Sequence, residues 1–485
     1  MAIEMSSPWI AGPIGAAAGV ALAWIATEYK TRKTYRNVIL LLAKSADDFA
    51  EMGQVEKALS IYDQILRDVP RLEPAVRGEI RFKQGLSYYG QSFEGARETN
   101  LNRAVEAFEE AIKLYKPEKH PVEHAQAQNG LGMSLVRLSE TGGEKGVERA
   151  WQAGQAGQEQ VQEELRVQNL KRAVGAFEEA LKLYAAEGRA QEHAQTQNNL
   201  GDAYLLLSRL EGKDEDAATV TDAAANLNKA IWAYEEALEF RTPEEHSEDY
   251  AETQNSLGRA RLALAQVEDG EMREALLDKA VSSFKAALEI RTAETHPEER
   301  AETQTLLGQA LVLESEPQVS GSEVHWADRD GLKMAIEAYE EALAVRTRET
   351  HPEDYADTQN LLGRALVILS GPASGPEDAA NLKRAIRAFE EALAVRTLES
   401  SPKEYSETQN NLGIAYRNLS KQEDREDNLE RSIRAYEEAL RARSGGAKKK
   451  AGEKEKSGEE KAGEEVEKEE EVEVEESEAA RAEEV

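Results

Sequence analysis

Apolar residues in the middle of the chain recur at the spacing of an α-helix. In the segment AIRAFEEAL, which begins at Ala385, Phe389 and Ala392 follow at i+4 and i+7 and share one helix face. Glu390 lies off that face. No segment alternates apolar and polar residues long enough to indicate a strand. The pattern therefore predicts an all-α chain of amphipathic helices without a sheet.

Two helical elements alternate along the chain, as in a repeat protein. The first has the pattern T-Q-N-x-L-G, and its glycines are Gly201, Gly258, Gly308, Gly363 and Gly413, with a relative that ends at Gly132. The second has the pattern A-x3-[FY]-E-E-A, and it begins at Ala104, Ala173, Ala230, Ala335 and Ala385, with variants at Ala280 and Ser432. A single helix pair cannot bury its apolar face alone, so neighbouring pairs must cover one another.

The spacing of these elements shows two kinds of connection. The connection from a second element to the next first element is constant in length, and the connection from a first element to the next second element is variable. Six times, 28 residues separate the leading alanine of a second element from the glycine of the next first element, whereas the return distance ranges from 19 to 41 residues. The variable connection takes the insertions, which project from one edge of a stacked array. We predict eight helix pairs, over residues 39–69, 73–115, 122–184, 190–241, 248–291, 297–346, 352–396 and 402–443.

The constant connection carries helix-end signals. An arginine closes each of four second helices, where its charge meets the negative end of the helix dipole. These arginines are Arg241, Arg291, Arg346 and Arg396. Proline then starts the next helix, as at Pro297 and Pro352. In the longest insertion, Gln158–Val167 lacks Gly and Pro, so we expect it to extend the following helix.

These motifs resemble the tetratricopeptide repeat, in which L-G-x2-[AY] on one helix precedes A-x3-[FY]-x2-A on the next. The front copy is the plainest, with Phe49, Ala58, Tyr62, Ile65 and Pro70 at the family spacing. The later, longer copies look like repeats of prokaryotic signalling proteins that often precede a caspase-like protease domain. We expect no such domain here, because the chain has no cysteine. The resemblance covers residues 39–443 and implies a right-handed superhelical solenoid that binds proteins or peptides.

Residues 8–26 form an uncharged apolar stretch bounded by Trp9 and Trp24. As a helix, Trp9 to Ala26 would span about 27 Å, close to the ~30 Å hydrocarbon thickness of a bilayer. A basic segment, 27–38, follows it, so the positive-inside rule places residues 1–7 outside and the repeat array in the cytoplasm. The basic residues are Lys30, Arg32, Lys33 and Arg36. We predict a single-pass membrane anchor.

Two other interpretations of residues 8–26 stay open. Ala21-Leu22-Ala23 resembles a signal-peptide cleavage site, although no basic region precedes the apolar stretch. The stretch could also be a buried helix of the soluble array. If it is an anchor, small residues at every fourth position, including Gly15 and Gly19, would let two such helices pack closely.

Composition limits the function. The 485 residues include 60 Lys and Arg and 93 Asp and Glu, a net charge of −33, which argues against nucleic-acid binding. The absence of cysteine excludes disulfides, thiolate metal sites and a cysteine nucleophile. Residues 444–485 are rich in Glu and Lys, and the last 35 residues carry 16 Glu against 5 Lys or Arg. We predict a disordered acidic tail that serves solvation more than binding.

No motif for catalysis is evident. The chain has no P-loop, no G-x-G-x-x-G and no G-x-S-x-G element. Histidines follow the repeat, since four of them each lie 16 residues after the leading alanine of their repeat. These are His120, His246, His296 and His351. We interpret them as turn or capping residues, and we expect no catalytic residue, no metal site and no cofactor.

One row of polar residues suggests a binding surface. An asparagine, once replaced by threonine, occupies the third position of successive T-Q-N elements. The row, called the ladder below, comprises Asn129, Asn198, Asn255, Thr305, Asn360 and Asn410. By the resemblance it would face the concave groove, where amides can hold an extended peptide backbone. Arg259 and Arg364, one residue after the glycine, would suit an acidic ligand. The alternative is that the ladder bonds between repeats and maintains their register.

Three functions fit these observations. The leading hypothesis is a membrane-anchored scaffold that binds a protein or peptide partner in the groove of the array. A second is a self-assembling coat or lattice protein that stacks as a homo-oligomer through its exposed last helix. A third is a regulatory subunit of a separately encoded enzyme.

Overall fold

The computed structural model describes residues 32–69, 72–141, 156–212, 217–316, 318–320, 323–325, 328–371 and 375–443. Sixteen α-helices form within them. They are α1 (Arg32–Glu51), α2 (Val55–Asp68), α3 (Pro74–Gln91), α4 (Arg97–Leu114), α5 (Pro121–Glu140), α6 (Ala156–Ala186), α7 (Ala190–Glu211), α8 (Ala217–Leu238), α9 (Ser247–Ala265), α10 (Gly270–Ile290), α11 (Pro297–Ser315), α12 (Arg329–Val345), α13 (Pro352–Ser370), α14 (Pro376–Leu393), α15 (Pro402–Leu419) and α16 (425–443). Odd-numbered helices are the first helices of the pairs, and even-numbered helices are the second helices.

The expectation of a chain without a sheet is wrong at one place. In the insertion between α11 and α12, strand β1 (Gln318–Ser320) pairs antiparallel with strand β2 (Glu323–His325), with Val319 opposite Val324. Each strand has three residues, which is too short for apolar and polar alternation to be recognised in sequence. The described chain is otherwise helical, as predicted.

The apolar stripe of each second helix forms the core of its repeat. In α14, Ala385, Phe389 and Ala392 are fully buried. The same aromatic position is fully or almost fully buried in other second helices, at Phe108, Phe177, Tyr234, Phe284 and Tyr339. The i, i+4, i+7 spacing therefore does what the pattern predicts, because it puts every buried side chain on one side of the helix.

The chain divides into two compact units, residues 1–267 and 268–485. The first contains α1 to α9 and the second contains α10 to α16. Within each unit consecutive helices pack together, and successive first helices also contact one another, more closely than successive second helices do among the described residues. The first helices consequently line the inner side of each unit, and this surface is called the inner face below. The right-handed superhelix stays a prediction.

The connections show how the predicted helix signals act. His246, His296 and His351 stand at the N-caps of α9, α11 and α13, but their side chains make no capping hydrogen bond. Instead their backbone N–H groups donate to a threonine carbonyl four residues earlier, as from His246 to Thr242 at 2.9 Å. Their role is therefore in the turn. Helix α6 runs over 31 residues from Ala156, which confirms that the insertion extends the following helix.

Several predicted features lie outside the described residues. These are the apolar stretch 8–26 with Trp9, Gly15, Gly19 and Trp24, the residue Lys30, and the acidic tail 444–485. Arg32, Lys33 and Arg36 lie in the first turns of α1, which begins before the predicted start of the array at residue 39. Among the described helices, none has the length and apolar composition needed to cross a membrane. The anchor stays a prediction.

Candidate functional site

The ladder lies on the inner face, but most of its members are shielded from solvent. Asn198, Asn255, Thr305 and Asn360 are buried, and Asn129 and Asn410 are half-buried. The position of the asparagine in T-Q-N explains this placement, because it lies one helical turn before the glycine at which the two helices of a pair approach. Any ligand of the ladder would therefore meet its half-buried members first.

The amide oxygens of the ladder accept hydrogen bonds from the next first helix. Asn129 Oδ1 accepts from Asn199 Nδ2 at 3.2 Å and from Thr196 Oγ1 at 3.3 Å. In the same way, Asn198 Oδ1 accepts from Thr253 Oγ1 at 2.9 Å. These bonds join α5 to α7 and α7 to α9, so this part of the ladder has a role in repeat register.

The second unit repeats this arrangement in part. Asn360 Oδ1 accepts from Asn411 Nδ2 at 3.1 Å, which joins α13 to α15. Thr305 instead donates to the carbonyl of Ala301 in its own helix, at 2.9 Å. In the first unit, Asn255 Oδ1 is buried without a hydrogen-bond partner among the described residues. Whether the ladder also binds a ligand stays a prediction.

Arg259 and Arg364 lie on first helices, one position after the repeat glycine, and both are half-buried. The charge of Arg364 is close enough to the phenol of Tyr339 to lower its pKa, although burial raises that pKa more strongly. The charge of Arg259 likewise lowers the pKa of Asp202 and of Tyr234, and burial again raises both pKa values more strongly. The two cations therefore stand over the aromatic core positions of their units.

Asp202 is an inner-face residue that the sequence analysis missed. It follows Gly201, so it occupies the register of Arg259 and Arg364, and comparing registers would have found it. Its Oδ1 accepts from the Tyr234 hydroxyl at 2.7 Å. Burial raises the pKa of Asp202 to about 6, although its hydrogen bond with Tyr234 and the nearby charge of Arg259 act in the opposite direction. The inner face of the first unit thus carries an acid as well as a cation.

The arginines that close the second helices join three helices. Arg241 is almost fully buried, and its Nη1 donates to Thr253 Oγ1 in α9 at 2.6 Å. Its Nη2 donates to Gln195 Oε1 in α7 at 2.7 Å. In the second unit Arg396 donates to Thr408 at 2.7 Å and to Asp357 in α13. The sequence predicted only a charge at the helix end, whereas the side chain reaches forward to the threonine of the next T-Q-N element.

The paired glutamates of A-x3-[FY]-E-E-A point in two directions. The first glutamate pairs with the following repeat, either with its second helix, as Glu340 does with Arg384 at 2.5 Å, or with its first helix, as Glu235 does with Arg261 at 2.7 Å. The second glutamate pairs with the first helix of its own repeat, as Glu341 does with Arg300 at 2.8 Å. These carboxylates are exposed and serve packing between helices. Among the described residues, no group of three or more His, Cys, Asp or Glu residues is placed to hold a metal ion.

In α3, α5, α7, α11, α13 and α15, a glycine of the first helix lies under the aromatic ring of the second helix of its pair. A Cβ atom on Gly363 would lie 2.5 Å from Phe389 Cε1, and one on Gly308 would lie 2.6 Å from Tyr339 Cε1. The same contact recurs at Gly201 with Tyr234 and at Gly413 with Tyr436. No side chain fits in that space, so the L-G and A-x3-[FY] motifs are two halves of one helix contact.

The described helices form tetratricopeptide-type repeats. In these repeats the glycine lets the first helix approach the ring, and the alanines of the second helix complete the contact. The narrower resemblance, to the repeats of caspase-associated signalling proteins, stays a prediction.

No protein-family model and no curated protein matches the chain. Among solved structures, it is similar to the C-terminal part of a TPR repeat-containing protein from Cytophaga hutchinsonii, with 14% identity and a TM-score of 0.37, over 75% of this chain and 97% of that one. It is similar to MamA with 19% identity and a TM-score of 0.31, over 48% and 98%. The TPR2AB domain of yeast Sti1, in a complex with pHSP90, has 15% identity and a TM-score of 0.23, over 75% and 98%. At TM-scores this low, the likenesses carry no inference about what this chain binds.

Proposed function

We propose that the protein is a scaffold whose inner faces bind a protein or peptide partner. The supporting observation is that first helices contact one another within each unit and present half-buried polar side chains at one register. These are Asp202 and Arg259 in the first unit, and Gln309 and Arg364 in the second. Because the register repeats from helix to helix, a row of such side chains suits an extended chain that crosses several repeats.

The mixed charge of this register favours a partner with polar and charged side chains. In the second unit the polar residues at this register are Gln309 and Arg364. Asn410, which belongs to the ladder, is also half-buried in this unit. A cation with a half-buried guanidinium binds a carboxylate more strongly than an exposed one, since water screens it less. The second unit is therefore the better site for an acidic segment of the partner.

Replacing Arg364 and Asn410 by the residues that occupy the equivalent positions in α11 is expected to weaken capture of the partner. The variant Arg364→Gln/Asn410→Thr uses the residues present at Gln309 and Thr305, so it should fold. We expect its yield of co-purified partner to fall by about tenfold, which corresponds to roughly 1.4 kcal/mol of binding energy. Affinity purification from native membranes with mass spectrometry measures this.

The matched control removes an arginine from the outer surface. Arg387 is exposed on the second helix α14, and Arg387→Gln should capture the wild-type partners. Far-UV circular dichroism checks that all three proteins are equally helical. Equal capture by the inner-face variant and the control would show that the inner face of the second unit does not bind the partner.

We also propose that residues 8–26 anchor the scaffold in a membrane, with the array in the cytoplasm. Support comes from the uncharged stretch between Trp9 and Trp24 and from the basic residues behind it. The full chain is expected to stay in the membrane pellet after carbonate extraction, whereas a variant without residues 8–26 is expected in the supernatant. Release of the full chain by carbonate would contradict the anchor.

A further inference from the structure

The last helix, α16, carries an apolar ridge that no described element covers. Leu429, Ile433 and Leu440 are 37%, 56% and 64% exposed. The half-buried Tyr436, whose ring packs on Gly413 of α15, borders the ridge. The four residues are spaced by four, three and four positions, which is the spacing of side chains at a helix–helix seam. Ser432, Ala435, Ala439 and Ala442 are buried on the adjoining side of the helix, where Ser432 Oγ donates to the carbonyl of Gly413 in α15 at 2.8 Å.

Equivalent positions inside the second unit show what such a ridge requires. Ile386 in α14 has the register of Ile433, and Leu382 has the register of Leu429. Both are buried, because α15 packs on α14. The ridge on α16 is therefore a surface that elsewhere in the array lies under another helix. Its exposure leaves apolar area in water, which favours association.

At the other end of the described array, two repeat positions that are apolar elsewhere carry polar residues. In α1, Ala46 takes the place of the repeat glycine, since Tyr62 donates to Asp47 as Tyr234 donates to Asp202. The residue before the glycine is a buried leucine in α7, α9, α11, α13 and α15, whereas in α1 it is the exposed Ser45. A buried alanine two residues after the glycine is replaced by the exposed Asp48. The exposed side of α1 is thus mixed, because Leu41, which is 64% exposed, lies on the same side as Ser45 and Asp48.

We propose that α16 pairs antiparallel with α16 of a second copy of the chain across a two-fold axis. The ridge has the same four, three, four spacing in either direction, so Leu429 would face Leu440 of the second copy and Ile433 would face Tyr436. The charges along one flank are complementary in the same register. Glu430 would face Arg441, and Arg434 would face Glu437, each twice.

The antiparallel direction also suits the acidic tail. Residues 451–485 carry a net charge of −11, from 16 Glu against 5 Lys or Arg. In an antiparallel pair the two tails leave from opposite ends of a 19-residue helix, about 28 Å apart, so their repulsion is largely screened by salt. A parallel pair would bring the two tails together. Repulsion between the tails therefore favours the antiparallel pair over a parallel one.

Sedimentation velocity of the full chain in mild detergent tests this pairing. The wild type is expected to form a concentration-dependent dimer, and Ile433→Glu/Leu440→Glu is expected to be a monomer. Glu430→Arg and Arg441→Glu each place like charges opposite one another, so each alone is expected to dimerise at least about tenfold more weakly. An equimolar mixture of these two variants restores both ion pairs, and its dimer is expected to approach wild-type affinity.

The alternatives give different results. A monomeric wild type that captures another protein through the ridge would assign the surface to a different partner and overturn the proposal. A dimer that survives Ile433→Glu/Leu440→Glu would place the contact elsewhere, including in residues 8–26. No recovery in the mixture would rule out the antiparallel register. All substituted residues are exposed, and circular dichroism of each variant confirms that it is folded.

Discussion

Phe389→Ala is expected to lower the free energy of unfolding by about 3–5 kcal/mol. The ring is fully buried over Gly363, and its stripe neighbours Ala385 and Ala392 are too small to fill the space that it would leave. The backbone of α13 cannot close the cavity without breaking its contacts with α14 and α15. Urea denaturation followed by circular dichroism measures the change, which should appear as a lower midpoint.

Phe389→Tyr is the matched control. Tyrosine occupies the same position at Tyr234, Tyr339 and Tyr436, so the ring can be kept while only a hydroxyl is added. We expect this variant to differ from the wild type by less than about 1.5 kcal/mol. If the alanine variant unfolds at the same urea concentration as the tyrosine variant, then the ring over the glycine is not a main source of stability in this repeat.

Gly201→Ala is expected to destabilise the first unit by about 1–3 kcal/mol, although alanine normally favours a helix over glycine. The added Cβ would lie 2.5 Å from Tyr234 Cε1. The ring cannot move aside, because it is fully buried and its hydroxyl is bound to Asp202. Alanine here must therefore separate α7 from α8. Chemical denaturation of the variant and wild type measures the effect.

Gly175→Ala is the control with the opposite sign. Gly175 is an exposed residue in the interior of α6, and a Cβ there would meet nothing within 4 Å. The same substitution should stabilise the protein by about 0.5–1 kcal/mol, through helix propensity alone. If both glycine-to-alanine variants changed the free energy of unfolding in the same direction, this would contradict a close helix approach at Gly201.

The sequence by itself determined the helices, their pairing in order and the repeat type. Helical periodicity is local, since Ala385, Phe389 and Ala392 share a face whatever surrounds them. The same applies to α6, whose early start at Ala156 follows from an insertion segment without Gly or Pro. The glycine and the ring of each motif were also readable. Which of them meet was not, because the contacting residues lie across the variable connection, 26 residues apart for Gly363 and Phe389 and 33 for Gly201 and Tyr234.

Tertiary structure decided which side chains meet. Arg241 bonds to Thr253, twelve residues ahead, and Asn198 accepts from the same threonine across 55 residues. Such partners depend on how separate helices stack, which the pattern within one helix does not contain. The ladder is mostly buried between repeats, whereas its composition was compatible both with a ligand surface and with bonds that maintain repeat register. The register of Asp202 is visible in the sequence, but its bond to Tyr234 and the pKa raised by burial follow from the stack.

The two ends of the array show the same division. Ser45 and Ile433 each stand at a repeat position that interior helices bury, and their identities are plain in the sequence. That Ile433 remains exposed depends on which helix covers it, and none of the described helices does. Local periodicity specifies helices because it acts within a few residues. Burial and exposure are properties of the stack, because each helix is covered only by its neighbours.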